Sequence, residues 1–139
     1  MPLINAYVSF NGNAEEAFTF YSSVFGTEKT MMRFKDVPQD AYHCSPQEVD
    51  KLMHCSLPIG KQSVLMGCDV PDGIPFDSGK QISLSLSADS KEDADRLFAG
   101  LAEGGKIEMP MDKTFWGAYF GMLTDRFGIH WMIDYSEPQ

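Results

Sequence analysis

Residues 114–133 read TFWGAYFGMLTDRFGIHWMI. Two apolar, strand-like stretches flank Asp125-Arg126-Phe127-Gly128, which has the aspartate and glycine of a tight turn. The run predicts a closing hairpin, 117–124 paired with 129–135. Alternation sorts the last strand: Met132 shares one face with His130 and Asp134, and Trp131, Ile133 and Tyr135 share the other. The aromatic face predicts a core wall.

Upstream of the hairpin, residues 106–111 predict a short strand. Before it, Ala94, Leu97, Phe98 and Leu101 recur at helical spacing. Ser90 is placed to cap that helix, with Asp93 at its third position, and Gly104-Gly105 to stop it. Residues 81–88, QISLSLSA, alternate as a half-buried strand with Ile82, Leu84 and Leu86 on one face. The C-terminal half thus reads strand, helix, strand, strand, strand.

The N-terminal half repeats that order. LINAYVSF, 3–10, predicts a strand and Asn11-Gly12-Asn13 a turn. Asn13 is placed to cap a helix, with Glu16 as its capping-box partner. Ala14, Ala17, Phe18, Tyr21, Val24 and Phe25 form the apolar face, and Gly26 ends it. A strand over 28–34, a polar loop over 35–50 and a hairpin of 52–59 with 62–69 about Gly60-Lys61 follow. That turn predicts Leu57 opposite Val64 and Cys55 opposite Met66. Residues 70–79, VPDGIPFDSG, read as a linker. The expected fold is α+β: one domain, 1–139, of two tandem βαβββ modules, 1–70 and 80–139, whose curved mixed sheets surround a cleft.

Composition narrows the function classes. The chain has 139 residues and a net charge of −9. No basic stripe offers itself to phosphates, so the reading expects no nucleic acid. No apolar run approaches the roughly 20 residues of a membrane span, so it expects no membrane. Cys44, Cys55 and Cys68 are odd in number and not in CxxC spacing, which suits reduced thiols in the cytoplasm.

A βαβββ duplication closed by a D-x-x-G hairpin resembles the vicinal oxygen chelate superfamily, which includes glyoxalase I, extradiol dioxygenases and the fosfomycin and bleomycin resistance proteins. Within it the chain is similar to the PhnB-like family. The matching stretches are Tyr7–Tyr21, His54–Asp69 and Lys106–Ile133, the last with Phe115-Trp116-Gly117 and the Asp125–Trp131 turn. The resemblance implies a divalent metal held by His and Glu side chains from the first and last strand of each half. It places those positions on Asn5 or Ala6, on or next to Met66, on Gln81 or Ser83, and on Met132. None is His, Glu, Asp or Cys, and a thioether is a poor ligand for a hard ion. The reading therefore expects no metal and no cofactor. The family also carries a methyltransferase label, linked to ubiquinone precursors. The chain shows no glycine-rich loop after a strand of the kind a nucleotide-type cofactor needs.

The candidate catalytic residues are His130, just after the turn glycine, and His54, at a strand start; the competing reading of each is a hydrogen-bonded structural histidine. His54 is expected to share a face with Ser56 and Pro58, opposite Cys55 and Cys68. His43-Cys44 reads as an exposed loop pair rather than a nucleophile with its base. Nine methionines is a high count. Most are expected in the core, with a few lining an adaptable apolar pocket. The expected ligand-binding cleft is lined by Met66, Met132, Cys55, Phe115 and Trp116. Two function classes follow: a protein that binds a small, partly apolar molecule without a metal, or an enzyme with a metal-independent reaction based on His130 or His54. The expected partners are a small-molecule ligand and a second copy of the chain in a homodimer.

Overall fold

The computed structural model describes residues 5–37, 45–71, 76, 79, 82–114 and 117–137. The chain divides into two compact units, Met1–Asp77 and Ser78–Gln139. The division falls inside the stretch read as a linker. His43, Cys44, Gln81, Phe115 and Trp116 lie outside the described residues.

The first unit runs β1 (Ala6–Phe10), α1 (Ala14–Phe25), β2 (Thr30–Arg33), a 3-10 turn (Phe34–Asp36), β3 (Leu52–Ile59) and β4 (Ser63–Asp69). The second runs β5 (Leu84–Ser87), α2 (Lys91–Ala102), β6 (Lys106–Lys113), β7 (Tyr119–Thr124) and β8 (His130–Tyr135). Strand order is β1-β4-β3-β2 in one sheet and β5-β8-β7-β6 in the other. In each, the first strand lies parallel to the last, and the remaining pairs are antiparallel. The α+β fold of tandem βαβββ modules is as the sequence predicted.

Each helix covers one face of its own sheet. α1 buries Ala14, Ala17, Phe18 and Tyr21, and the sheet answers with Phe10, Cys55, Leu57 and Leu65. α2 buries Ala94, Leu97, Phe98 and Leu101, the stripe read from the sequence, in the same unit as buried Leu123, Trp131 and Ile133. A strand glycine lets each helix approach. A Cβ on Gly67 would lie 2.7 Å from the Val8 carbonyl oxygen and 2.9 Å from the Phe18 ring. A Cβ on Gly121 would lie 2.6 Å from the Met111 sulfur and 2.9 Å from the Phe98 ring. Real Cβ atoms do not approach that closely, so both phenylalanines depend on a missing side chain.

Four expectations need correction. The β3–β4 turn spans three residues, with Ile59 paired to Ser63, so Leu57 faces Leu65, Cys55 faces Gly67 and Met66 faces Ser56. Asn13 makes no side-chain capping bond. The buried carboxylate of Asp69 caps α1 instead, accepting from the Ala14 N–H at 2.9 Å and from the Leu52 N–H at 3.0 Å. Ser90 does cap α2, accepting from the Asp93 N–H at 3.0 Å. The methionines are not core: among the described residues none is fully buried, and Met31, Met32 and Met109 are exposed on the edge strands β2 and β6. Finally, Ile82 is 78% exposed and precedes its strand rather than joining Leu84 and Leu86 in it.

Candidate functional site on the open sheet faces

Because each helix seals one sheet face, the opposite face stays open, and alternation decides what lines it. In the first unit that face carries Tyr7 and Ser9 from β1, His54 and Ser56 from β3, and Met66 and Cys68 from β4. The three-residue β3–β4 turn, which pairs Ile59 with Ser63, sets this phase. It puts Cys68 on the same side as His54, one step past the Cys55–Gly67 pair. The sequence reading had them on opposite sides.

β4 runs between β1 and β3, so Tyr7 and His54 stand on strands about 9.5 Å apart. Their ring centroids are nevertheless 5.9 Å apart, tilted by 36°. The two rings lean toward each other over β4, where Met66 pairs with Tyr7 and Cys68 follows two residues later. Burial pushes the Tyr7 phenol up to about 12, and its hydrogen bond with the Cys68 thiol adds to the shift. Tyr7 therefore remains a neutral donor at physiological pH.

Cys55 is elsewhere. It is fully buried on the helix side and directs its thiol to the Gly67 carbonyl at 3.3 Å. Burial, then the nearby Asp69 charge, pushes it up to about 12. It does not line the face that holds Met66, because the three-residue turn pairs it with Gly67.

In the second unit the open face carries Ser85 and Ser87 from β5, Phe120, Met122 and Thr124 from β7, and His130, Met132 and Asp134 from β8. Met122 pairs directly with Met132, and Thr124 with His130. His130 and Met132 thus share a face, as read from alternation. His130 Nδ1 lies 2.8 Å from the Thr124 hydroxyl, which in turn donates to Glu108 at 3.1 Å. A hydroxyl has one hydrogen. With it given to Glu108, Thr124 accepts from His130 Nδ1–H, and the lone pair sits on Nε2. Asp134 accepts from the Ser87 hydroxyl at 2.9 Å.

The Asp125 turn is structural. Asp125 is buried; one carboxylate oxygen accepts from the N–H groups of Phe127 and Ile129 at 2.8 and 3.1 Å, and the other from the Trp131 indole at 2.9 Å. The hairpin's aspartate holds the core wall rather than carrying chemistry.

The residues do not fit the superfamily metal. Asn5 accepts from the Val64 N–H at 3.2 Å, and Met66 and Met132 offer thioethers. Among the described residues, no three His, Cys, Asp or Glu side chains converge where they could hold an ion. No catalytic step is derived through a metal.

One hollow is lined by none of the predicted site residues that lie among the described ones. About 470 Å³ in volume, it is lined in the second unit by Lys91, Lys113, Gly117, Tyr119, Tyr135, Ser136 and Glu137. The Lys91 ammonium stands 5.0 Å from the centre of the Tyr119 ring, whose hydroxyl donates to Asp95. That carboxylate, with desolvation, pushes the Tyr119 phenol up to about 12. Apart from Gly117, which ends the Phe115-Trp116-Gly117 stretch, no motif marks these residues in the sequence.

Known proteins share this architecture. Residues 3–134 match the family described as 3-demethylubiquinone-9 3-methyltransferase. The chain belongs to this PhnB-like family. It is 33% identical to protein YjdN of Escherichia coli (strain K12), covering all of this chain and 98% of that one. It is 41% identical to protein PA1353 from Pseudomonas aeruginosa, with a TM-score of 0.88 over 99% of this chain and 100% of that one. A putative 3-demethylubiquinone-9 3-methyltransferase, PhnB protein, from Bacillus cereus is 26% identical with a TM-score of 0.77, covering 97% and 100%. PhnB-like chains share the fold of the glyoxalase/bleomycin resistance/dioxygenase superfamily.

Proposed function

We propose that this PhnB-like protein binds a small, partly apolar molecule against the open faces of its sheets, without the metal of its superfamily. One observation carries the reading. The faces that the helices leave uncovered are lined by Tyr7 and Met66 in one unit and by Phe120, Met122 and Met132 in the other. Thioethers and aromatic rings around a few hydroxyl and imidazole groups suit a flexible apolar ligand with one polar end. Anilinonaphthalene sulfonate is a suitable first probe. Saturable uptake is expected, with a thermal midpoint that rises with probe concentration. Met66→Asp combined with Met132→Asp should weaken binding by about tenfold or more. Uptake unchanged in that double variant would overturn the reading.

The alternative class, an enzyme, draws on the Glu108–Thr124–His130 chain, which leaves Nε2 of His130 as a base. His130→Gln would then abolish product formation while probe binding persists. Binding without any turnover keeps the first reading.

The reading includes a cytoplasmic setting and a homodimer. Among the described residues, no helix is long and apolar enough to cross a membrane. Edge strands β2 and β6 expose Met31, Met32, Ile107 and Met109, and a second copy would cover such edges. Light scattering at micromolar concentration should give twice the 15.5 kDa chain mass. A strict monomer would refute the dimer.

A further inference from the structure

We infer that the open face of the first unit is a thiol site, where Cys68 captures soft electrophiles such as α,β-unsaturated carbonyl compounds with help from Tyr7 and His54. The argument rests on placement. Among the described residues Cys55 and Cys68 are the free cysteines, and the two are opposites. Cys55 is sealed under α1 and engaged with a carbonyl. Cys68 is part-exposed on the uncovered face. The Tyr7 and His54 rings close to 5.9 Å over the strand that bears it, although their own strands are not neighbours. A thiol flanked by a phenol and an imidazole has a hydrogen-bond donor for its anion and a base for its proton.

The chemistry needs no further reagent. The imidazole of His54 takes the thiol proton while the Tyr7 hydroxyl donates to the sulfur. The sulfur attacks the β-carbon and forms one S–C bond. The alkene π pair moves toward the carbonyl oxygen, and the proton held by His54 ends on the α-carbon. The thiol has added across the double bond, with no leaving group and no change in total oxidation state. The partner class is an electrophile with an apolar body, since Met66 lies beside Cys68 on the same face. This inference rests on the same uncovered face as the binding reading, but its readout needs no reversible ligand.

The test uses the full chain, kept reduced, with N-ethylmaleimide as the activated alkene. Intact mass gives the rate, and peptide mapping separates Cys68 from Cys55 and Cys44. Cys68 is expected to label first, and about tenfold faster than glutathione at the same pH. Tyr7→Phe and His54→Gln should each slow Cys68 labelling by about tenfold while leaving the thermal midpoint nearly unchanged. Labelling no faster than glutathione, labelling first at Cys44 or Cys55, or a rate indifferent to both substitutions would overturn the proposal. If either variant fails to fold, the wild-type comparison with glutathione decides alone. Fast Cys68 labelling without uptake of an apolar probe removes the binding reading and leaves this one; the reverse outcome does the opposite.

Discussion

Asp125→Ala is expected to destabilise the protein by about 3 kcal/mol, a fall of roughly 10 °C in thermal midpoint. The carboxylate is buried and accepts three hydrogen bonds, from Phe127, Ile129 and Trp131. Alanine leaves two backbone N–H groups of a tight turn and one indole N–H without this acceptor, in a place water enters poorly. The indole loss distinguishes this from ordinary turn weakening. Trp131 is 4% exposed, and its ring is part of the wall beneath α2. Tryptophan fluorescence should therefore shift with the stability change. Asp125→Asn keeps an acceptor oxygen and should cost about half as much. Urea denaturation followed by circular dichroism measures both. A change below about 0.5 kcal/mol for Asp125→Ala, the size of an ordinary surface substitution, would refute this account of the turn.

Asp69→Ala is the second large effect, expected at about 2–3 kcal/mol. Its two oxygens serve different segments. One caps the first turn of α1 through Ala14, and the other holds the start of β3 through Leu52. The residue itself ends β4 and pairs with Phe10 of β1. A single side chain thus ties one helix end to three strands. Its removal should fray the start of α1 before the rest of the unit. Hydrogen exchange would show this as faster exchange at Ala14 and Leu52 than at buried amides of the second unit, such as Trp131. Asn13→Ala makes the contrast. Asn13 makes no capping bond, so this substitution should cost only a few tenths of a kcal/mol. A larger loss at Asn13 than at Asp69 would reverse the assignment.

That contrast shows where the sequence could be read and where it could not. The stripes of α1 and α2 and the alternation of β8 were legible because each element buries one side, and burial writes a period into local sequence. The cap of α1 was not legible, because its donor and acceptor lie 55 residues apart. Ser90 was, because its partner lies three residues away. The β3–β4 register turned on one residue in the turn, and composition does not distinguish a two-residue from a three-residue turn around Gly60. The slip matters for the site: it placed Cys55 with Met66, whereas the structure pairs Met66 with Ser56. The same one-residue shift brings Cys68 to the side of His54. The lone-pair nitrogen of His130 depends on Glu108, which belongs to β6 and carries no motif.

The division of labour between the two faces of each sheet bears on how the family can change. Asp69, Asp125, Gly67 and Gly121 serve the helix side, and their replacement strikes at folding. Tyr7, Ser56, Met66, Met122 and Met132 stand on the other side, where the helix core does not depend on their shape. Mutations there escape the stability threshold that removes most core changes. A lineage can therefore trade one ligand for another by drift on a single face, one residue at a time, with the scaffold intact throughout. Duplication doubles the opportunity, since each unit carries its own buried aspartate and its own glycine-seated phenylalanine and can vary its open face independently.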